Sequence, residues 1–168
     1  LLEYSRLGTQ KVVTQVDCNS LVTQVQRDLA MSIQENHAVI IAEELPVVKG
    51  YETELRLLIQ NIISNAIKFK KENKDPLIKI NCVDDKKQWK FSISDNGIGI
   101  RKEHRVKIFQ IFQRLHPRDA YGGYGIGLTH CRKIIELHQG KIWVVSEPNI
   151  GSTFFFTIPK NIGENIKA

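Results

Sequence analysis

The chain contains no apolar run approaching the roughly 20 residues needed to span a bilayer. Its first residues, LLEYSRLGTQK, lack the basic start and cleavage site of a signal peptide and read instead as the tail of an amphipathic helix. Cysteine is scarce: Cys18, Cys82 and Cys131 are odd in number and far apart, and no CxxC or Cys/His pairing has zinc-site spacing. That excludes a disulfide framework and leaves reduced thiols, so a cytoplasmic domain without direct membrane contact is expected. The five histidines, His37, His104, His116, His130 and His138, are scattered, none placed with a plausible Ser, Cys or metal partner, and each reads as a surface or packing residue. No Gly-Lys-Ser/Thr occurs, which excludes a Walker-type phosphate loop. There is no repeat, no low-complexity tract and no internal domain boundary.

What is present suits one soluble domain. The 168 residues are 42% hydrophobic and 25% charged, enough for a real core. Much of the +6 net charge sits in Lys68–Lys74 and in Lys86, Lys87 and Lys90. These clusters admit an anionic partner, but no basic face with aromatic or helical readers is organised for nucleic acid. Within 52–69, Leu55, Leu58, Ile59, Ile62, Ala66 and Phe69 recur at helical spacing. Asn61, Asn65 and Lys68 share one side of that helix. Two amides and an ammonium are an odd choice there: the stripe is either a solvated face or an anion site.

Around this helix, hydrophobic periodicity predicts a short strand over Lys11–Val16, a helix from Cys18 to about Gln34 with Asp17 as its cap, and a strand over Ala38–Ala42 closed by Pro46 and Gly50. Leu77–Val83 and Trp89–Ser94 alternate as a hairpin. A short helix is expected around Val106–Phe112, followed by a loop with Pro117, Gly122 and Gly123, long enough to be a lid. Gly127–His138 reads as a helix, and Lys141–Val145 and Ser152–Ile158 as strands joined by a Pro148–Gly151 turn. Strands and helices do not strictly alternate, so the expected class is α+β: a mixed sheet with helices packed on one face.

The motifs then fall in order. Asn61-x-x-x-Asn65-Ala66-x-Lys68-Phe69, Asp95-x-Gly97-x-Gly99, Ile108-Phe109-x-x-Phe112-x-Arg114, Gly123-x-Gly125-Ile126-Gly127-Leu128 and Gly151-Ser152-Thr153-Phe154 follow one another at sensible spacing. Together they resemble the N box, first glycine box, F box, second glycine box and closing strand of the catalytic ATP-binding domain of sensor histidine kinases. That domain is one of the Bergerat-fold (GHKL) ATPases, a two-layer α/β sandwich with a flexible ATP lid. Arg114-Leu115-His116-x-Arg118-Asp119 and Glu136-Leu137-His138-x-Gly140-x-Ile142-Trp143 are similar to the phytochrome-like group.

The resemblance implies residues 1–10 as the end of a dimerisation helix (Glu3-Tyr4-Ser5-Arg6 carries this), 11–160 as the catalytic domain and 161–168 as a tail. It implies ATP and Mg²⁺ as ligands. Asp95 would accept from the adenine amino group, with Thr153 in support, and Gly97 and Gly99 would let the backbone pass close to the base. Asn65 would ligate Mg²⁺, and Asn61 would help through the metal's waters. Lys68 and Arg114 would balance triphosphate charge, and backbone from Gly123 and Gly125 through Ile126, Gly127 and Leu128 would cradle the phosphates. Phe109 and Phe112 would anchor the lid. In gyrase-like relatives a Glu base stands where Asn61 stands here. An amide cannot take that proton, which points to phosphoryl transfer rather than hydrolysis.

The acceptor histidine would belong to a dimerisation segment outside this chain, in a homodimer that serves a response regulator. Tyr124 departs from the small residue usual between the glycines of the second box. It is the feature that keeps a second reading open: a docking module with the fold but no turnover. A gyrase-like ATPase acting on DNA is the third.

Overall fold

The computed structural model describes residues 12–110 and 126–162. Its elements run β1 (Thr14–Asp17), α1 (Cys18–Asp28), α2 (Ala30–Glu35), β2 (Val39–Ala42), β3 (Val47–Gly50), α3 (Glu52–Lys68), β4 (Leu77–Asp85), β5 (Gln88–Asp95), 3-10 turns at Lys102–His104 and Lys107–Phe109, α4 (Ile126–Leu137), β6 (Ile142–Glu147) and β7 (Gly151–Pro159).

A five-stranded sheet has the order β2-β4-β5-β7-β6. β2 pairs parallel to β4, and the other neighbours pair antiparallel. The sheet is therefore mixed, as the irregular order of elements predicts. Strand alternation sorts its faces. Ile78, Ile80, Phe91, Ile93, Phe154, Phe156 and Ile158 are buried on one face, where Phe91 and Phe156 stack with centroids 4.9 Å apart. The helices meet this face with Leu55, Leu58, Ile59, Ile62 and Ile63 of α3, and with Leu128, Cys131, Ile134 and Ile135 of α4, in one continuous core. The other face carries Lys79 and Val83 in the open and a stacked Trp143–Phe155 pair beneath Lys90.

Three local expectations change. The helix from Cys18 is interrupted: Leu29 leaves helical dihedrals (φ −102°, ψ 14°), which separates α1 from a second helix with no fully buried residue. Asp17 does cap α1, accepting from the Asn19 and Ser20 amides. The stretch closed by Pro46 and Gly50 contains a strand, β3, which pairs antiparallel with β1 as a separate two-stranded sheet. Four residues ending in Gly carry too little alternation to be seen locally, and the pairing partner lies thirty or more positions away. The segment before Phe112 folds as 3-10 turns rather than an α-helix, and Phe112 itself lies outside the described residues.

Candidate nucleotide site

Helix α3 carries the polar stripe as its spacing requires. Asn61 and Asn65 are half-buried and Lys68 is exposed, while Leu58, Ile62, Ala66 and their neighbours face the core. α4 packs against α3 in the opposite direction: Cys131 Sγ lies 3.9 Å from the Leu58 carbonyl oxygen, and Asn61 Nδ2 donates to the Gly127 carbonyl at 3.4 Å. Gly127 has room for this approach, since a Cβ there would sit 3.9 Å from Asn61. The stripe is thus brought to the first turn of α4, where helical N–H groups lack intrahelical partners.

Asp95 ends β5 on the core face of the sheet. Its Oδ1 accepts from the Gly97 amide at 2.9 Å. Burial pushes its carboxyl above the ordinary aspartate range, against the smaller pull of the Gly97 and Ser152 N–H groups. The backbone then turns sharply. At Gly97 a Cβ would stand 2.6 Å from the Phe69 carbonyl, and the next amide, Ile98 N–H, donates to that same carbonyl at 3.0 Å. Gly99 has φ +75°, and a Cβ on it would sit 2.2 Å from the Glu147 carbonyl oxygen, so only glycine fits. Asn96 secures the same loop, accepting from Leu77 N–H and donating to the Asp75 carbonyl.

These pieces line a cavity of about 40 Å³ walled by Asn65, Ala66, Phe69, Asp95, Ile98, Gly99, Ile100, Leu128, Ser152 and Phe154. A wider groove of about 510 Å³ lies elsewhere, between Arg105, Phe109, Arg132 and Trp143. It contains neither the Asn61 and Asn65 amides nor Asp95, so chemistry rather than size selects the smaller cavity.

The structure corrects the place of Thr153. β5 and β7 pair Asp95 with Ser152 and Ser94 with Thr153, so Thr153 faces away from Asp95, on the opposite side of the sheet. Ser152 is the buried cavity-lining hydroxyl, 2.8 Å from Ser146 Oγ. Ser146 Oγ also accepts from Ile100 N–H at 2.7 Å, and the Ser146 carbonyl accepts from Arg105. The β6–β7 hairpin thereby holds the loop that follows Asp95. Motif position alone does not distinguish Ser152 from Thr153, and Ser146 belongs to no motif. The two-residue period through Phe154, Phe156 and Ile158 would have placed Ser152 on the core face. Accordingly, Ser152→Ala is expected to weaken ATP binding about fivefold, on the order of 1 kcal/mol for one hydrogen bond, and Thr153→Ala to leave it within twofold. Calorimetric titration of both variants separates the two positions.

Phe109 is buried against Phe154 in an edge-to-face contact at 6.2 Å, and its carbonyl accepts from Thr129 Oγ1. It does not line the cavity itself but packs on Phe154, which does. Leu128 is buried and lines the cavity directly. Ile126 opens α4, but its side chain lies outside the described residues, as do Arg114, Gly123, Tyr124 and Gly125. Among the described residues no three His, Cys, Asp or Glu side chains gather to hold a metal. The amide oxygens of Asn61 and Asn65 fit Mg²⁺, a hard cation that takes few protein ligands and completes its shell with phosphates and water.

The family profile for histidine kinase-, DNA gyrase B-, and HSP90-like ATPases matches residues 50–162. Cyanobacterial phytochrome A of Nostoc sp. (strain PCC 7120 / SAG 25.82 / UTEX 2576) is 44% identical over 160 residues, 95% of this chain and 21% of that protein. The chain therefore spans about a fifth of that relative's length. The nucleotide-free catalytic domain of histidine kinase ThkA superposes with a TM-score of 0.75 at 31% identity, over 89% of this chain and 96% of that one. ThkA has also been solved in complex with the response regulator protein TrrA (TM-score 0.75, 27% identity, 95% of this chain and 46% of that one). Full-length ShkA in complex with AMPPNP matches with a TM-score of 0.76 at 27% identity, over 94% of this chain and 34% of that one. The chain belongs to the histidine kinase-, DNA gyrase B-, and HSP90-like ATPase family, as an ATP-binding catalytic domain of the histidine kinase kind.

Proposed function

We propose that this domain binds Mg-ATP between α3, α4 and the loop after Asp95, and passes the γ-phosphoryl group to a histidine on a dimerisation segment outside the chain. The observation that carries this is the meeting of three groups around one cavity: Asn65 of the polar stripe, Leu128 in the first turn of α4 and the half-buried Asp95. Asp95 accepts from the adenine amino group and Ser152 lies beside it. The cavity holds about one water as it stands, so entry of the base requires the Ile98–Ile100 loop and Leu128 to part. Asn65, with Asn61 assisting, presents amide oxygen to Mg²⁺. When bound, the ion neutralises and orients the phosphates. Lys68 and Arg114 add positive charge, and backbone N–H groups from Gly123 to Leu128 receive phosphate oxygens.

Because Asn61 is an amide, nothing at that position removes a proton from water, and positioning rather than hydrolysis is the domain's contribution. The AMPPNP complex of ShkA and the TrrA complex of ThkA support a nucleotide ligand and a receiver-domain partner. Residues 1–10 are assigned to the end of the dimerisation helix, 11–160 to the catalytic domain and 161–168 to a tail, within a cytoplasmic homodimer. No helix among the described residues is long and apolar enough to cross a membrane.

The test is calorimetry of the domain with ATP, with and without Mg²⁺, followed by labelled-phosphate transfer to a full-length partner carrying the acceptor helix. Binding strengthened by Mg²⁺, with transfer and little hydrolysis, is expected. Binding without transfer would favour a docking module; substantial hydrolysis by the domain alone would favour a gyrase-like ATPase.

A further inference from the structure

His138 lies at the end of α4 remote from the cavity and is fully buried, at 0% exposure. Its Nε2 accepts from the Tyr51 backbone N–H at 3.0 Å, and its Nδ1 lies 2.8 Å from the Ile134 carbonyl oxygen. An amide can only donate and a carbonyl can only accept. The ring is therefore neutral, with its proton on Nδ1. Tyr51 is the N-cap of α3, with no side-chain cap of its own, and Ile134 is in the last turn of α4. One imidazole thus ties an N-terminal donor of α3, which the helix end leaves unpaired, to the last turn of α4, where the Ile134 carbonyl also accepts the His138 backbone N–H at 3.2 Å. The fit is close: Tyr51 meets the ring edge-on at 5.1 Å, and a Cβ on Gly50 would come within 3.1 Å of Nε2.

Ten residues further along α3, about 15 Å at helical rise, Asn61 meets Gly127. Between the two ends the helices touch mainly through Leu and Ile side chains, whose attraction is non-directional and does not by itself fix axial register. Two polar links nearer the cavity, Asn61 to Gly127 at 3.4 Å and Cys131 to Leu58 at 3.9 Å through sulfur, are long. The short, directional link across the helices is Tyr51 N–H to His138 Nε2 at 3.0 Å, with Nδ1 on Ile134 fixing the ring at the end of α4.

We propose that His138 is a positioning residue that sets the axial register of α3 on α4, and thereby holds the Asn61/Asn65 amides against the phosphate-binding turn of α4. The inference rests on the Mg-ATP reading for its consequence, but not for the register itself. His138→Leu removes both bonds, His138→Gln offers an amide acceptor and donor in their place, and His138→Asn keeps the donor to Ile134 while falling short of Tyr51. Each is compared with wild type for Mg-ATP and adenosine affinity, and by NMR of the Asn61 side-chain amide and the Gly127 amide without nucleotide.

In His138→Leu we expect Mg-ATP affinity to fall at least tenfold, adenosine affinity to stay within twofold and both resonances to move. His138→Gln should return all three towards wild type. If His138→Leu does not fold, His138→Asn is expected to show the same selective loss. Equal loss of Mg-ATP and adenosine, unchanged Mg-ATP affinity, or unmoved resonances would overturn the proposal. Failure of the wild-type domain to bind Mg-ATP, with the resonances still moved in His138→Leu, would reject the nucleotide reading and leave the register role standing.

Discussion

Replacing Asp95 by Asn is expected to lower ATP affinity about a hundredfold, on the order of 3 kcal/mol, while raising the thermal stability of the empty domain. The carboxylate serves several donors at once: Gly97 N–H on Oδ1, Ser152 N–H from the neighbouring strand and, with nucleotide bound, the adenine amino group. An amide has one acceptor oxygen, so its NH₂ must face one of those donors. The same burial that strengthens the hydrogen bond is a cost before ligand arrives, because it lifts the Asp95 carboxyl above its usual range.

The sign follows from linkage. An acid with a raised folded pKa binds its proton more tightly in the native state, so its contribution to stability is fully present below the unfolded pKa. It is lost as pH rises through the folded one. ATP binding runs the other way, since adenine needs the ionised acceptor, and should weaken as pH falls through the same point, above the ordinary aspartate range. Calorimetric titrations across pH, paired with melting curves, check both trends, and Asp95→Asn should flatten each. Unchanged affinity in that variant would sink the adenine assignment.

The second large effect is expected at Asn65. Asn65→Ala should cost about 2 kcal/mol, roughly thirtyfold, in affinity for ATP with Mg²⁺, and should leave binding in EDTA nearly unaltered. The reason is the division of labour around the cavity. On the proposed reading the base end is formed by Asp95, Gly99 and Ser152, whereas Asn65, which walls the same cavity from α3, stands on the side of Asn61 and the α4 N-terminus. Removing an amide that binds only the metal-phosphate end should abolish the gain from Mg²⁺ without touching adenosine. Titration of Mg²⁺ at fixed ATP reads this difference directly, and equal losses with and without the ion would reassign Asn65 to the base pocket.

Much of this was legible from the chain alone. Asn61, Asn65 and Lys68 lie on one helical face because three- and four-residue steps return to the same side of a 3.6-residue turn. The Asp95-x-Gly97-x-Gly99 spacing announced a turn after a strand. The mixed, one-sided sheet followed from the irregular order of elements. These are local regularities, set by short-range backbone geometry, and they specify which residues share a face.

Tertiary structure decided what faces what. Motif position alone put Thr153 beside Asp95, and it took the pairing of β5 with β7 across 57 residues to seat Ser152 there instead. A shift of one residue in register reverses every side chain of a strand. β3 remained hidden because its four residues become a strand only against β1. His138, one of five scattered histidines in the sequence, acquired a role only when packing set it between Tyr51 and Ile134. Spacing along a chain determines the face of an element, whereas the distance between two faces depends on long-range packing and hydrogen bonds that no local pattern encodes.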